Sequence, residues 1–296
     1  MQWDDMRVFL AVARAESLSG AGKVLRVDPA TVGRRIARLE QELGAPLFAK
    51  SPQGYAPTDA GMRLIAHAER AEQAMGAARE ELAGQEGRLS GQIRIGAPDG
   101  CANFLLPQVC AAIARDNPDL DIHIVALPRV INLSKREADM AIAVSPPQAG
   151  RLSVQKITDY HLHLAASRGY LRDNPPIETP ADLRGHRVIG YIPDMIFDKE
   201  LDYLSDLGVE RVPLASNSVS VQVNWLRHGA GLGVVHDFAL PMSHPLRKVL
   251  AAEIGLTRSF YLIRHADDRR LERLNRFASA LVSGLRAEVG RLESLT

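Results

Sequence analysis

Five basic side chains lie within a short stretch near the start of the chain, and their chemistry suits binding to phosphates and base edges. They are Lys23, Arg26, Arg34, Arg35 and Arg38, and the same stretch holds one acidic residue, Asp28. The whole chain is nearly neutral, with a formal net charge of +1, so the positive charge is local. Such a cluster is typical of a surface that contacts a nucleic-acid backbone, although it also fits an ordinary solvated helix.

Two short helices joined by a tight turn are predicted to position these side chains. Ser19 is expected to cap the first helix, Asp28 caps the second, and Pro29 takes a first helical position that needs no amide hydrogen. The predicted inward residues are Ala21, Val24 and Leu25 in the first helix and Val32, Ile36, Leu39 and Leu43 in the second. Their helical spacing gives the second helix one continuous apolar face.

The opposite face of the second helix is the predicted DNA-reading surface. Arg34 and Ala30 lie opposite the apolar face, and Thr31 and Arg38 lie on one flank. Two helices joined by a tight turn, of which the second displays arginines outward, form a helix-turn-helix whose second helix enters the major groove. The pattern therefore predicts a DNA-binding element.

The first sixty-odd residues resemble the N-terminal domain of the LysR-type transcriptional regulators. The resemblance rests on M-R-V-F-L-A-V-A, S-L-S-x-A, T-V-G-R-R-I-A-R-L-E-Q-E-L-G, P-L-F and P-T-D-A-G, in that order. Three positions depart from the family pattern, because Pro29 replaces a common glutamine, Gly33 a common serine and Gly22 an alanine. The resemblance implies a winged helix-turn-helix with a wing at residues 48–58. The expected DNA-binding residues are Ala30, Thr31, Gly33, Arg34, Arg35, Arg38 and Lys50.

A long helix is predicted to begin after Thr58 and to run without a proline to about residue 86. A heptad seam repeats along it at Leu64, Ala68, Ala71, Met75, Ala78 and Leu82. The seam fits packing on the chain itself or pairing with a second copy, and the lack of a matching neighbouring segment favours the second copy. In the family that it resembles, linker helices pair antiparallel, so we expect a homodimer and, by the same resemblance, a homotetramer.

From residue 91 the sequence alternates short apolar segments with helical ones. Buried strands are predicted at 93–96, 122–125, 140–144, 187–191, 233–235 and 260–263, with helices at 104–114 and about 268–288. Alternation of this kind indicates an α/β fold with largely parallel sheets, whose ligands bind beyond the carboxyl ends of the strands.

The same region resembles the two-lobed effector domain of the LysR-type regulators, which is related to periplasmic binding proteins. The shared landmarks are I-R-I-G, L-L-P, N-P-D-L, A-D-M-A-I-A, D-L-R-G-H-R-V-I and H-G-A-G-L-G-V-V. The implied organisation is a DNA-binding domain at 1–60, a linker helix at 58–88 and an effector domain at 91–296. Lobe I would comprise 91–158 and 259–296, and lobe II 159–258. The implied function is a sequence-specific transcriptional regulator, not an enzyme, whose cleft binds a small-molecule effector.

The predicted effector cleft begins at the loop after the first strand of this domain. Its expected lining is Pro98, Asp99, Gly100, Cys101, Asn103, Ser145, Tyr191, Asn217, Ser218 and His236. The charged residues expected nearby are Asp99, Asp194, Asp237 and Arg129. This excess of acid predicts a neutral or weakly charged polar ligand, with hydrogen bonds from Asn103, Ser145 and Ser218.

Two cysteines, Cys101 and Cys110, leave a thiol-sensing regulator open as an alternative. A position near a helix start would favour the Cys101 thiolate, although a small cleft-lining residue is the preferred interpretation. Nine residues along one helix place the two thiols on opposite sides, so a disulfide would require that helix to unravel.

Other catalytic and metal-binding patterns are weak. His161 and His163 share one face of a strand but have no third ligand nearby, which favours packing over zinc. The G-A-G-K stretch at 20–23 lacks the remaining features of a phosphate loop. A binding-protein-like enzyme is therefore the least favoured hypothesis, and no cofactor or metal is expected.

The start of the chain lacks signal-peptide features and no apolar run suits a membrane, so we expect a cytoplasmic protein with no membrane partner.

Overall fold

The structure is a computed structural model that describes residues 2–51, 54–82, 88–126, 138–147, 150–204, 207, 209, 211–266, 268 and 271–296. The chain divides into two compact units, Met1–Glu86 and Gly87–Thr296. Among the described helices, none combines the length and apolar composition that a membrane crossing requires.

The first unit combines helices with a two-stranded hairpin. Its elements are α1 (Trp3–Ala15), α2 (Leu18–Leu25), α3 (Pro29–Leu43), β1 (Phe48–Ser51), β2 (Gly54–Pro57) and α4 (Asp59–Leu82). The apolar faces of the helices meet in one core, whose fully buried side chains include Phe9, Val12, Ala21, Val32 and Leu39. The predicted ends of α3 are confirmed, since the Asp28 side chain accepts from the Thr31 amide and Gly44 is left-handed at the C-cap.

The predictions for α2 are partly wrong. Its cap is Ser17 rather than Ser19, because Ser17 Oγ accepts a hydrogen bond of 3.0 Å from the Gly20 amide. Val24 is 74% exposed, and Leu43 of α3, also expected inward, is 40% exposed. The turn packs closely on Gly22, where a Cβ would lie 2.7 Å from the Val27 carbonyl oxygen. That close approach accounts for glycine at this position.

The second unit alternates strands and helices. Its elements are β3 (Gly91–Ala97), α5 (Asp99–Phe104), α6 (Leu106–Asp116), β4 (Leu120–Ala126), β5 (Met140–Ala143), β6 (Leu152–Ser167), α7 (Arg168–Asp173), β7 (Val188–Gly190), β8 (Leu214–Ala215), α8 (Val219–Arg227), β9 (Leu232–His236), β10 (Leu246–Lys248), β11 (Gly255–His265) and α9 (Glu272–Glu293). Short 3-10 segments include Pro193–Met195, Lys199–Leu201 and Asp237–Met242.

One path of hydrogen-bonded strands runs in the order β4-β3-β5-β11-β6-β9-β7-β8, with β10 beside β6. The outer groups β4-β3-β5 and β9-β7-β8 are parallel, whereas β11, β6 and their neighbours in the path pair antiparallel. The prediction of largely parallel sheets thus holds for the two outer groups and is wrong for the centre. We call the part built on β3, β4 and β5 the first lobe and the part built on β7, β8 and β9 the second lobe.

Two further predictions need correction. The helix expected at 104–114 is interrupted at Leu105, whose φ and ψ of −123° and −51° are not helical, because Pro107 has no amide to continue the preceding hydrogen bonds. Strand β4, expected to be buried, lies at the edge of the sheet and leaves Ile124 36% exposed. The last helix begins later and ends later than expected, at Glu272 and Glu293.

Candidate nucleic-acid interface and effector cleft

A chain of hydrogen bonds organises the start of α3. Asp28 accepts from the backbone amide of Thr31 at 2.8 Å and from its hydroxyl at 2.6 Å. Arg34 Nη2 in turn donates to Thr31 Oγ1 at 2.9 Å. These hydrogen bonds lower the pKa of Asp28, so its carboxylate stays ionised. This series preorganises Thr31 and Arg34 at the start of α3, and the expected contacts of Ala30, Thr31 and Arg34 with DNA stay predictions.

Arg38 has a structural partner that the sequence did not reveal. Its guanidinium donates from Nε to Asp5 Oδ2 at 3.0 Å and from Nη2 to Asp5 Oδ1. The Asp5 side chain is 1% exposed, whereas that of Arg38 is 54% exposed. Because a buried carboxylate without a counter-charge is costly, Arg38 holds α3 against α1. Arg35 lies 3.9 Å from Asp4 in a looser ion pair.

Gly33 lies beside α2 rather than on the outward face. A Cβ at Gly33 would lie 3.4 Å from Leu18 Cδ1 of α2. Gly33 is half-buried, and the base contact expected from it stays a prediction.

The wing is fixed to two parts of the unit. Glu40 Oε1 of α3 accepts from the amides of Leu47 and Phe48 at 2.7 and 3.2 Å. The Tyr55 amide donates to the Glu16 carbonyl at 2.9 Å. Gly54 has a φ of +130°, and a Cβ there would lie 2.5 Å from the same carbonyl oxygen, so only glycine fits. The wing tip at 52–53 and the Lys50 side chain lie outside what the structure describes.

The heptad seam of α4 divides into two parts. Ala68 is fully buried and Leu64 packs against the core of its own unit, and Arg14 of α1 pairs with Glu72 at 2.6 Å. Met75 is 48% exposed and Ala78 is exposed. Packing on the chain itself, the alternative considered above, thus holds for the first half of the seam. The second half remains available for a partner, and the side chain of Leu82 is outside the described part.

In the second unit, a carboxylate from one lobe caps a helix of the other. Asp99 begins α5 directly after β3, and Ser218 is the N-cap of α8. Asp99 Oδ2 accepts from the Ser218 hydroxyl at 3.2 Å and from the Ser220 amide and hydroxyl at 3.0 and 3.2 Å. Ser220, which the sequence analysis missed, thus belongs to the site. The sequence feature that could have identified Ser220 is its place as a second serine in the first turn of α8.

A buried histidine packs against Gly100, one of the residues expected to line the cleft. His236 is 4% exposed, and its ring lies 3.2 Å from where a Cβ of Gly100 would stand. Its ring stacks on that of Tyr160 with centroids 5.5 Å apart. Burial lowers the pKa of His236 to about 4, so the imidazole is neutral at pH 7. Its Nδ1 has no hydrogen-bond partner within the described part of the chain.

The expected donors to a ligand are already engaged by the protein. Asn103 Nδ2 donates to the Asp99 carbonyl at 2.8 Å, and Ser145 Oγ donates to Asp198 of the second lobe. Asn217 and Pro98 are half-buried on either side of the Asp99–Ser218 contact. Direct hydrogen bonds therefore connect the lobes where a polar ligand was predicted.

Comparison with known proteins shows which family has this architecture. Residues 3–62 match the family described as bacterial regulatory helix-turn-helix protein, lysR family, and residues 86–286 match the LysR substrate binding domain. The chain belongs to the LysR-type transcriptional regulators. It is therefore a DNA-binding regulator with an effector-binding domain. Members of this family bind DNA and small-molecule effectors and form oligomers.

Individual relatives agree with that assignment. The HTH-type transcriptional regulator PtxR of Pseudomonas aeruginosa is 26% identical over 235 residues, which cover 78% of this chain and 75% of PtxR. A full-length OxyR variant from Pseudomonas aeruginosa has a TM-score of 0.68 at 18% identity, covering 97% of this chain and 95% of that one. LysG from Corynebacterium glutamicum, solved with its effector Arg bound, has a TM-score of 0.63 at 19% identity, covering 97% and 99%. At these identities the two structures show the fold alone.

The cysteines of this LysR-type regulator do not match the expected environment. Cys101 is 1% exposed within the core rather than in the cleft lining, and Cys110 is also buried and free. Burial raises the pKa of both thiols, that of Cys110 to about 11. The expectation of a favoured thiolate at Cys101 is wrong, because desolvation outweighs any effect of a six-residue helix. The expected continuous helix between them is also interrupted at Leu105.

The two histidines of β6 bind different carboxylates. His161 Nδ1 lies 2.8 Å from Glu293, and His163 Nδ1 lies 2.8 Å from Asp237. Asp237, expected as an uncompensated acid near the cleft, also accepts from Lys248 Nζ at 2.7 Å. In the described residues no cluster of three metal-ligating side chains occurs. Arg129, the expected basic residue, lies outside the described part.

Proposed function

We propose that this LysR-type regulator reads operator bases through Ala30, Thr31 and Arg34 of α3. The observation that carries this role is the hydrogen-bonded series Asp28–Thr31–Arg34, which holds the guanidinium on the outward face. An arginine in this position can donate two hydrogen bonds to a guanine edge. Arg35 and Lys50 are assigned to phosphates, and Arg38 is assigned mainly to holding α3 in place.

The test uses the full-length protein and an operator enriched from a random DNA library. Arg34→Ala is expected to weaken binding to that operator by roughly 1–3 kcal/mol and to leave scrambled DNA nearly unaffected. Arg35→Ala, the matched control on the same helix, should weaken both alike and reduce the salt dependence. Equal losses on operator and scrambled DNA for Arg34→Ala would remove the base-reading role.

For assembly, the proposal is a homodimer through the second half of the α4 seam. Met75 and Ala78 are exposed there, and the small alanine would let two helices approach closely. A dimer places two recognition helices on two half-sites, as two-fold operators require. A homotetramer formed through the effector domains, as the resemblance implies, completes the proposed assembly.

For control, the proposal is an uncharged effector that changes the contact between the lobes. Asp99 already places a carboxylate at the first turn of α8, where an anionic ligand would otherwise bind. The buried, high-pKa thiols Cys101 and Cys110 argue against thiol sensing as the control. The working location of such a regulator is the cytoplasm, where its DNA is.

A further inference from the structure

We propose that the effector binds in a cavity inside the second lobe, behind Tyr191, and is an uncharged, mainly apolar small molecule with one hydroxyl or carbonyl group. This inference rests on the proposed function, since it assigns the site and the chemical class of the effector. It also differs from the sequence prediction of a polar ligand held between the lobes.

The cavity has a volume of about 240 Å³ and lies between β7, the two following 3-10 segments, α8 and β9. Liquid water occupies roughly 30 Å³ per molecule, so the space suits a compound on the order of ten non-hydrogen atoms. Its walls are mainly aliphatic, with Ile189, Ile196, Leu201, Leu204, Val212 and Val234 among the lining side chains. A ring or short branched compound would bury apolar surface against them.

The charges that line the cavity disfavour an anionic ligand. Among its described lining residues no lysine, arginine or histidine occurs, and the charged one is Asp202. An anionic ligand would lose its hydration, would gain no counter-charge from these lining residues and would approach the Asp202 carboxylate. Arg258, which acts on Tyr203 from outside this lining, is already paired with Glu200. This lining differs from a site for a carboxylate effector, which would need basic side chains or free helix amides.

Polar recognition is available at the tyrosines. Tyr191 and Tyr203 both line the cavity, and their rings meet edge to face with centroids 5.7 Å apart. Tyr203 is 5% exposed, and its buried hydroxyl lies beside the phenol groups of Tyr160 and Tyr191. Burial raises the pKa of Tyr203 well above its usual value, so the phenol remains a neutral donor. A ligand hydroxyl or carbonyl would accept a hydrogen bond from one of the two phenols that line the cavity.

The cavity adjoins the contact between the lobes. Burial raises the pKa of the Tyr191 phenol, and the negative charge of the nearby Asp99 carboxylate raises it further. On α8, Gln222 lines the cavity and Ser220, two residues earlier, binds Asp99. A ligand that displaces Tyr191 or α8 would therefore alter the Asp99–Ser220 contact, which gives occupancy a route to the other lobe.

The experiment compares three probes of similar shape on the full-length protein: benzyl alcohol, benzoate and benzylammonium. Binding is followed by calorimetry and by the shift in melting temperature. Benzyl alcohol is expected to bind and to raise the melting temperature, with benzoate and benzylammonium at least about tenfold weaker because their charges would be buried. Equal or tighter binding of either ion, or no binding of benzyl alcohol up to its solubility limit, would overturn the proposal.

Two variants locate the probe. Val212→Phe fills the cavity from a half-buried position and should abolish benzyl alcohol binding. Tyr203→Phe keeps the ring and should weaken binding roughly threefold to tenfold. Tyr170→Phe is the control, because its hydroxyl bonds His186 elsewhere in the lobe. Unchanged binding in Tyr203→Phe would contradict the assigned donor, even if Val212→Phe proved unstable.

Operator binding is first measured without any probe. A protein that fails to bind the operator at this step would contradict the proposed function and not the assignment of the cavity. If benzyl alcohol bound in the cavity but left operator affinity unchanged, the assignment of the cavity as the effector site would be overturned. A change in operator affinity that Val212→Phe removes would support it.

Discussion

The Asp99 carboxylate lies in the first turn of α8, where its Oδ2 accepts from both the amide and the hydroxyl of Ser220, at 3.0 and 3.2 Å. The amides at a helix start carry partial positive charge and commonly bind anions. Here the chain supplies the anion itself, from the other lobe. The contact therefore connects the two lobes and occupies a helix start that a carboxylate effector would otherwise use.

Replacing Asp99 with Asn tests this contact. Asp99→Asn keeps the size of the side chain but removes the charge-assisted hydrogen bonds, which should lower the free energy of unfolding by about 1–2 kcal/mol. It should also increase the affinity for small carboxylates such as acetate. Asp121→Asn, on the exposed edge strand β4, is the control in urea unfolding. If both variants unfolded at the same urea concentration, the contact would have no measurable role in closing the lobes.

The ion pair between Arg38 and Asp5 predicts a loss of stability rather than a loss of DNA contacts alone. Arg38→Ala leaves the buried Asp5 carboxylate without its partner, so the melting temperature should fall by several degrees. The double variant Asp5→Asn with Arg38→Met should recover much of that loss, because no buried charge remains. Arg34→Ala is the control and should melt like the parent protein. A double variant that melts as low as Arg38→Ala would show that the unpaired Asp5 carboxylate is not the cause of the loss.

Local chemistry made the ends of α3 predictable. Asp28, Pro29 and Gly44 each favour a particular backbone conformation or capping bond, so neighbouring residues are enough to place that helix. The face with Ala30 and Arg34, and the flank with Thr31, followed from helical periodicity. The family resemblance added the two-lobed architecture, which no single motif could specify.

Contacts between distant residues were not predictable in the same way. Asp5 and Arg38 are 33 positions apart, and Asp99 and Ser220 are 121 apart, so no spacing rule connects them. Strand order likewise depends on the whole sheet, which is why β4 was taken as buried although it lies at an edge. The exposure of Val24 was missed for a local reason. An eight-residue helix has too few apolar positions to show from sequence which face is buried.

The buried His236 predicts a specific pH dependence of stability. Its pKa is lowered from 6.5 to about 4 in the folded protein, so between these values the unfolded chain binds a proton that the folded chain does not. Stability should therefore fall as the pH drops from 6.5 to about 4, by up to about 3 kcal/mol from this residue. His236→Gln should flatten that part of the pH profile in urea unfolding, whereas His123→Gln, on an exposed strand position, should not. A parallel profile for parent and His236→Gln would contradict the assignment.

The exposed half of α4 gives the prediction for assembly. Met75→Asp places a charge in the proposed helix pair, where it would lose hydration without a partner, so the protein should shift toward monomer and bind a two-half-site operator more weakly. Met62→Asp is the matched control, because Met62 is 61% exposed and lies on the opposite face of the same helix by its spacing. It should leave the mass measured by light scattering unchanged. An unchanged mass for Met75→Asp at micromolar protein would show that the chain does not pair through this face, and binding to a single half-site measures any separate loss of DNA contacts.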